Sequence, residues 1–268
     1  MKILITGSAG FVGQHLVKEL SGKHEVINYD LVDGQDVLDS ILLTKKLLGV
    51  DLIIHLAAFI SAQESWQKPM DYMRNNALGT LSVINCAIKA GVKKVIFFSS
   101  AAVKAKPLTP YAVSKISAEE IVKLYSNKIN TVIVRPENIY GLGQKANYGY
   151  VIHNFINAVK SGNKITIFGL GKQSRDFIYI DDVINVIEKL INFEIKSGSV
   201  ISLGTGKQTK ILDLAKLVMV VMNKKVGIHF DKKRAEPIKS VADTRMLSAL
   251  EINAKKFVDI KMGIKKLL

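Results

Sequence analysis

The chain has 268 residues, 48% hydrophobic and 23% charged, the balance of a soluble globular protein with room for one large domain or two unequal lobes, not of a disordered chain. One cysteine, Cys86, excludes an internal disulfide framework and suggests a reducing, cytoplasmic setting, and the five histidines (His15, His24, His55, His153 and His229) stand at spacings that make no metal site. The net charge of +15, from 38 Lys and Arg against 23 Asp and Glu, belongs to lysines that form no block and are not interleaved with aromatics; it reads as solvated surface rather than a nucleic-acid face, and it suits an anionic small substrate.

The N-terminal "MKILITGSAG" passes straight into a strand, "KILIT" (2–6), and a glycine turn, so no secretory leader is expected. "FVGQHLVKEL" (11–20) has apolar residues at helical spacing. "HEVINYD" (24–30) and "DLIIHLAA" (51–58) read as the second and third strands, and a long helix is expected from Pro69 to about Ala90. "KKVIFFSS" (93–100) is a fourth strand, "TPYAVSKISAEEIVKLYS" (109–126) a helix with Pro110 in its first turn, and "TVIVRP" (131–136) a fifth strand. Nearly all-apolar strands separated by helices make a doubly wound α/β, Rossmann-type parallel sheet covered on both faces.

Past Arg135 the pattern loosens. "YGLGQKANYGY" (140–150) reads as a loop, "VIHNFINAVKSG" (151–162) as a helix stopped by Gly162, and "KITIFG" (164–169) as a strand. With "RDFIYIDDVINVIEKLI" (175–191) that segment gives a strand, a turn and a helix; "VISLG" (200–204) reads as a strand, and "KILDLAKLVMVVM" (210–222) as a helix too short to span a bilayer. The expected division is residues 1–139, with about 175–203 returning, as the dinucleotide-binding domain, and 140–174 with 204–268 as a smaller C-terminal substrate-binding lobe.

"TGSAGFVG" (6–13) sits between the first strand and the first helix. Gly7 permits a tight turn, Gly10 a close approach to a pyrophosphate, and Gly13 close helix packing, with the helix N-terminus facing the phosphates. Asp30, at the end of the second strand, would bind both adenosine ribose hydroxyls and repel a 2′-phosphate, which favours NAD over NADP. Tyr111 and Lys115 are four apart on one helical face, so an ammonium stands by a phenol and favours the phenolate. Such a tyrosine can exchange a proton with a substrate hydroxyl near neutral pH. Ser100 ends the fourth strand at the carboxyl edge, where ligands of open α/β sheets bind.

These segments resemble an extended short-chain dehydrogenase/reductase of the NAD-dependent epimerase/dehydratase family of nucleotide-sugar enzymes, over nearly the whole chain. The resemblance of "TGSAGFVG" to the family's TGxxGxxG turn implies cofactor contacts at Gly7, Gly10, Phe11, Val12 and Gly13. "HLAA" (55–58) implies that Leu56, Ala57 and Ala58 stand beside the cofactor, and "NNALGTLSVINCA" (75–87) puts Asn76 at the family's structural asparagine. Asp36 and Val37 resemble a pair that contacts adenine, although they follow Asp30 unusually soon. "SSAAV" and "YAVSK" match the catalytic segments and imply Ser99 at the cofactor, Ser100 at the substrate and in catalysis, and Tyr111 and Lys115 at both cofactor and reaction.

In the second lobe "RPENIYGLG" (135–143) implies Pro136 at the cofactor and Asn138 at a substrate diphosphate. "ITIFG" and "RDFIYIDDV" imply Phe168 near the base and Arg175 as a diphosphate clamp, a task that suits a guanidinium fork. "KRAEPIKSVAD" (233–243) implies a further phosphate contact at Lys233 or the adjacent Arg234.

The chain departs from the family around the catalytic serine. "SSAAVKA" replaces the usual "SSAAVYG", the link to the tyrosine is short, and Ala101 and Ala102 stand where sugar 4,6-dehydratases carry an Asp-Glu pair. Elimination is thereby disfavoured. The resemblance then implies an NAD-dependent epimerase of a UDP-sugar or other nucleotide-diphosphate sugar, similar to UDP-glucose 4-epimerase, that works by transient oxidation to a keto-sugar and return of the hydride. A reductase of a keto-sugar nucleotide and a non-catalytic NAD-binding sensor or scaffold are the alternatives. A homodimer is expected through the helices around 70–90 and 109–126.

Overall fold

The computed structural model of the chain describes residues 1–144, 150–233 and 236–268. It divides into two compact units: Met1–Lys104, Leu108–Arg135 and Val186–Ile201 form the first, and Ala105–Pro107, Pro136–Asn185 and Ser202–Leu268 the second.

The first unit begins β1 (Lys2–Thr6), α1 (Phe11–Leu20), β2 (Glu25–Tyr29), α2 (Ser40–Lys46), β3 (Leu52–His55) and α3 (Pro69–Tyr72). It continues with a π-helical turn (Met73–Leu78), α4 (Gly79–Lys89), β4 (Lys94–Phe98), α5 (Pro110–Leu124) and β5 (Asn130–Pro136). The strands from β1 to β5 are joined in parallel, in the order β5-β4-β3-β1-β2. β3 and β4 are buried at every residue, which is why all of their residues but His55 and Lys94 are apolar. On one face Leu4, Ile53, Val95 and Ile133 from four strands meet Leu43 of α2, Val83 and Ala87 of α4, and Ala118 and Val122 of α5. Each fully buried Leu, Ile or Val contributes about 1.5–3 kcal/mol relative to exposure.

Register aligns the strand ends. Thr6 stands opposite both Tyr29 and His55, His55 opposite Phe97, and Phe98 opposite Val134. Gly7, Asp30, Leu56 and Ser99 therefore leave the sheet along one edge.

The second unit carries β6 (Asn138–Tyr140), α6 (Val151–Lys160), β7 (Ile165–Phe168), β8 (Ser174–Arg175) and β9 (Phe177–Tyr179). α7 (Ile180–Asn192) and β10 (Ser199–Leu203) each lie partly in the first unit, which holds Val186–Ile201; the second unit then carries β11 (Thr209–Lys210), α8 (Ile211–Val221), β12 (Ile228–Asp231), α9 (Arg245–Ala249) and α10 (Ile260–Lys265). Among its described residues β6 pairs with β9, β7 with β12, and β8 with β11. β10 is the edge strand beside β5, the sixth of the central sheet.

The segment in the first unit is Val186–Ile201, shorter than the expected 175–203. Ladders hold Ser174–Arg175 and Phe177–Tyr179 in the second unit. The returning part is anchored by Lys94, whose Nζ donates to the carbonyls of Leu190 (2.5 Å) and Phe193 (2.9 Å) at the end of α7. Besides Ala105–Pro107, the second unit takes up the chain at Pro136, and Asn138–Tyr140 is a ladder strand in it. Two short strands, β8 and β9, precede α7 where the expectation had one strand and a turn. The long helix expected from Pro69 contains the π turn at Met73–Leu78. Among the described residues, no helix is long and apolar enough to cross a membrane.

Candidate active site

The glycine turn is shaped by close backbone approach. Gly7 has φ +72°, and a Cβ there would lie 2.7 Å from the Ala57 nitrogen. A Cβ at Gly13 would lie 2.2 Å from the Gly7 carbonyl oxygen and 2.8 Å from Ser8 backbone atoms. Gly13 thus seats α1 against the turn itself. Gly10 is the N-cap of α1, with no side-chain cap and no acid in the first turn, and Phe11 and Val12 open the helix. Uncapped N–H groups on a helix dipole, approached by backbone without side chains, suit a pyrophosphate.

Asp30 accepts from the Ala9 N–H in this turn (2.8 Å, Oδ2) and from the Val32 N–H (3.1 Å, Oδ1). An ionised carboxylate has about four acceptor positions, so capacity remains for ribose hydroxyls. Asp36 accepts from the Leu38 N–H, and its carbonyl accepts from the Tyr29 hydroxyl (2.8 Å), which pins the short loop to β2. The Val37 side chain is buried in the core, where it would touch a Cβ at Gly79.

After β3, Leu56 N–H donates to the Thr6 carbonyl and Ala57 N–H to the Thr6 hydroxyl, so Leu56, Ala57 and Ala58 run beside the glycine turn. Asn76, in the π turn, is 1% exposed. Its Oδ1 accepts from the Phe59 N–H (2.8 Å), and its Nδ2 donates to the Phe59 carbonyl (2.9 Å) and the Ser114 hydroxyl (3.0 Å). One amide therefore ties the segment after β3 to α5. Beneath it lies a buried relay that the sequence reading missed. Thr80 donates to the Asn76 carbonyl (2.6 Å), which leaves the Thr80 oxygen to accept from His55 Nε2 (3.0 Å) and His55 Nδ1 to accept from Thr6 (2.7 Å). Burial, aided by the field of Lys115, pushes His55 down to about 3, so the ring is neutral.

β4 ends at Phe98 and delivers Ser99 and Ser100. Ser99 N–H donates to the Val134 carbonyl (2.7 Å), and the Ser100 hydroxyl accepts from the Ala102 N–H (3.1 Å). α5 is started by Thr109, whose hydroxyl accepts from the Ala112 N–H, and by Pro110 in its first turn. That start places Tyr111 in the first turn and Lys115 one turn later. Both are buried, and Tyr111 meets Tyr72 edge-on at 6.2 Å. Lys115 Nζ donates to the Phe98 carbonyl (2.5 Å) and lies 4.5 Å over the Phe97 ring. Burial pulls its ammonium down to about 7, against an opposing pull from Glu119. The lysine is thus docked on the strand end that presents Ser100.

In the second unit Asn138 donates twice to the Asp176 carbonyl, from N–H (3.1 Å) and Nδ2 (2.9 Å). The Arg175 fork is engaged: Nη1 donates to the Ser174 and Pro237 carbonyls, and Nη2 pairs with Glu236. Gln173 links this pair to Phe168, since its Nε2 donates to both the Phe168 carbonyl and Glu236. Lys233 lies beside Gly169 at the end of β7. Arg234 falls outside the described residues. Pro136 closes β5.

The family model described as the NAD dependent epimerase/dehydratase family matches residues 3–204. An uncharacterized UDP-glucose epimerase of Bacillus subtilis is 29% identical, over 91% of this chain and 89% of its own. Among solved structures, UDP-glucose 4-epimerase of Thermotoga maritima with UDP-glucose superposes with a TM-score of 0.92 at 26% identity, over 99% of this chain and 97% of that one. A tyrosine-to-phenylalanine variant of UDP-glucuronic acid 4-epimerase from Bacillus cereus, in complex with UDP-4-deoxy-4-fluoro-glucuronic acid and NAD, superposes with a TM-score of 0.90 at 28% identity, over 99% and 97%.

Proposed function

The chain belongs to the NAD dependent epimerase/dehydratase family, a family of NAD-dependent enzymes, and we propose that within it this protein is an epimerase of a UDP-sugar. The observation that carries the reading is Lys115, buried and bonded to the Phe98 carbonyl one turn from Tyr111. An ammonium in that place favours the phenolate of Tyr111, which takes the proton from a sugar hydroxyl. Ser100, two residues beyond Phe98, orients the same oxygen. Bound NAD supplies the reversible acceptance of hydride from the carbon bearing that hydroxyl. Gly7, Gly10 and Gly13 seat its pyrophosphate, and Asp30 its ribose. The proton that Tyr111 took returns to the sugar oxygen once the ring has turned.

Arg175 and Asn138 serve the diphosphate, with Phe168 near the base and Lys233 as a further cation. A diphosphate on Arg175 displaces Glu236 from the guanidinium fork. Ala101 and Ala102, directly after Ser100, offer no acid or base for elimination, and this favours epimerisation over dehydration within the family. The working form is proposed to be a homodimer.

The test is incubation with NAD and UDP-, dTDP- and GDP-sugars, with epimers resolved by chromatography. An epimeric product from a UDP-sugar supports the reading. Stoichiometric loss of NADH absorbance with a keto-sugar, and no epimer, would replace it by reduction. Tyr111→Phe should abolish turnover while NAD still binds.

A further inference from the structure

Glu119 stands one turn beyond Lys115 and two beyond Tyr111, so the three share a face of α5. It is 2% exposed, an uncommon place for a carboxylate. Three elements meet at it. The Ser99 hydroxyl donates to Oε1 (2.5 Å), Arg135 Nε donates to Oε1 (2.7 Å), and Arg135 Nη2 pairs with Oε2. Ser99 directly follows Phe98, whose carbonyl holds Lys115. The end of β4 is thus fastened to α5 twice in succession, through Phe98 to Lys115 and through Ser99 to Glu119, immediately before Ser100.

The charges around Lys115 give this fastening a second consequence. The ammonium lies over the Phe97 ring and beside a His55 held neutral by burial. The acid whose field supports its charge is Glu119. Arg135, on β5, bonds both oxygens of that carboxylate, and Lys123, one turn further along α5, stands 3.9 Å from it. Glu64 is half exposed, and Asp71, Arg74, Lys89 and Lys104, the other charged groups on elements packed against α5, are exposed. A buried lysine with no such acid loses its proton readily.

We propose that Glu119 is a positioning residue for the chemistry at Tyr111: its charge keeps Lys115 an ammonium, and its bonds to Ser99 and Arg135 hold the end of β4 against α5. This deepens the epimerase reading, because an ammonium at Lys115 is what that reading needs. The test is made on the free protein, so it stands or falls separately from any turnover.

Lysine is labelled at Cε and titrated by NMR, with the Lys115 signal identified by its loss in Lys115→Met. Glu119→Gln keeps the size and the acceptor for Ser99 but removes the charge. The Lys115 midpoint should fall by about one pH unit in Glu119→Gln. It should hold in Glu119→Asp, which keeps the charge, and in Ser99→Ala, which loses only the hydroxyl bond. The alkaline limb of kcat/KM should move down with the midpoint. Glu119→Gln/Arg135→Met, which leaves no buried guanidinium unpaired, should show a fall in the same direction and serves if the single variant does not fold. An unchanged Lys115 midpoint in the folded charge-removing variant, or an equal fall in Ser99→Ala, would overturn the proposal.

Discussion

Gly13→Ala separates helix propensity from close packing. In an ordinary helix the change gains about 0.5–1 kcal/mol, because alanine loses less freedom on folding. Here the new Cβ would stand 2.2 Å from the Gly7 oxygen and 2.8 Å from Ser8 backbone atoms. None of these is the end of a flexible side chain, so α1 must back away from the turn by about 1 Å to reach a normal contact. Overpacking of this kind costs about 1–3 kcal/mol, more where backbone meets backbone, so the net change is a loss of roughly 1–2 kcal/mol. At about 2–4 °C per kcal/mol for chains of this size or a little smaller, the melting temperature should fall by roughly 2–8 °C. NAD affinity should fall at least about tenfold, because the N–H groups of the helix start move with α1. Gly22→Ala is the control: its Cβ meets nothing within 4 Å. Differential scanning fluorimetry and calorimetric NAD titration read both effects. A Gly13→Ala protein as stable as the parent, with unchanged Kd for NAD, would refute the argument that the turn is built by contact.

Thr80→Val removes the donor to the Asn76 carbonyl and leaves His55 Nε2–H buried without an acceptor; urea unfolding should show a loss of about 1–3 kcal/mol. Burial pushes the Asp182 carboxyl up from 3.8 to about 6, so the folded chain holds its proton more tightly than the unfolded one. The stability from that proton is complete below about pH 4 and is lost as pH rises towards 6, and Asp182→Asn, measured by melting across that window, should flatten the slope. Lys115, with its ammonium pulled down to about 7 from 10.5, has the opposite sense for a base: the unfolded chain binds the extra proton, so stability should rise with pH from 7 towards 10. Lys115→Met should remove that rise and melt at or above the parent temperature at pH 6, while losing all turnover.

The legible parts of the sequence were those where burial leaves one choice. β3 and β4 are covered on both faces, so apart from His55 and Lys94 their residues are apolar; the glycine turn admits no side chain at Gly7 and Gly13. The second unit was harder to read because its strands run to two, three or four residues, too few to display a period. α2 is seven residues long, and what starts it is Asp39, accepting from the Ile41 and Leu42 N–H groups. The π turn adds a residue per turn without any change in composition. Tyr111 and Lys115 were legible from spacing, whereas Glu119, in "SAEE", looks like surface charge. Only the burial of that position by β4 and β5 separates it from the exposed Glu120 beside it.

That burial also explains why so costly an arrangement stands at the edge of the sheet. A lysine drawn into the core weakens the fold below its own midpoint, and replacing a buried charge by a well-packed apolar group is often neutral or stabilising. Three features offset the cost without abolishing it: the Phe98 carbonyl, the Phe97 ring and the carboxylate of Glu119. If these served stability alone, methionine at 115 would do better. The group that gains from an ammonium there is the phenol of Tyr111, one turn away on the same helix. A higher melting temperature with lost turnover in Lys115→Met is therefore the joint outcome that a working lysine requires. A protein stabilised by its lysine would instead melt lower when the lysine is removed, and would place the residue among the supports of the fold.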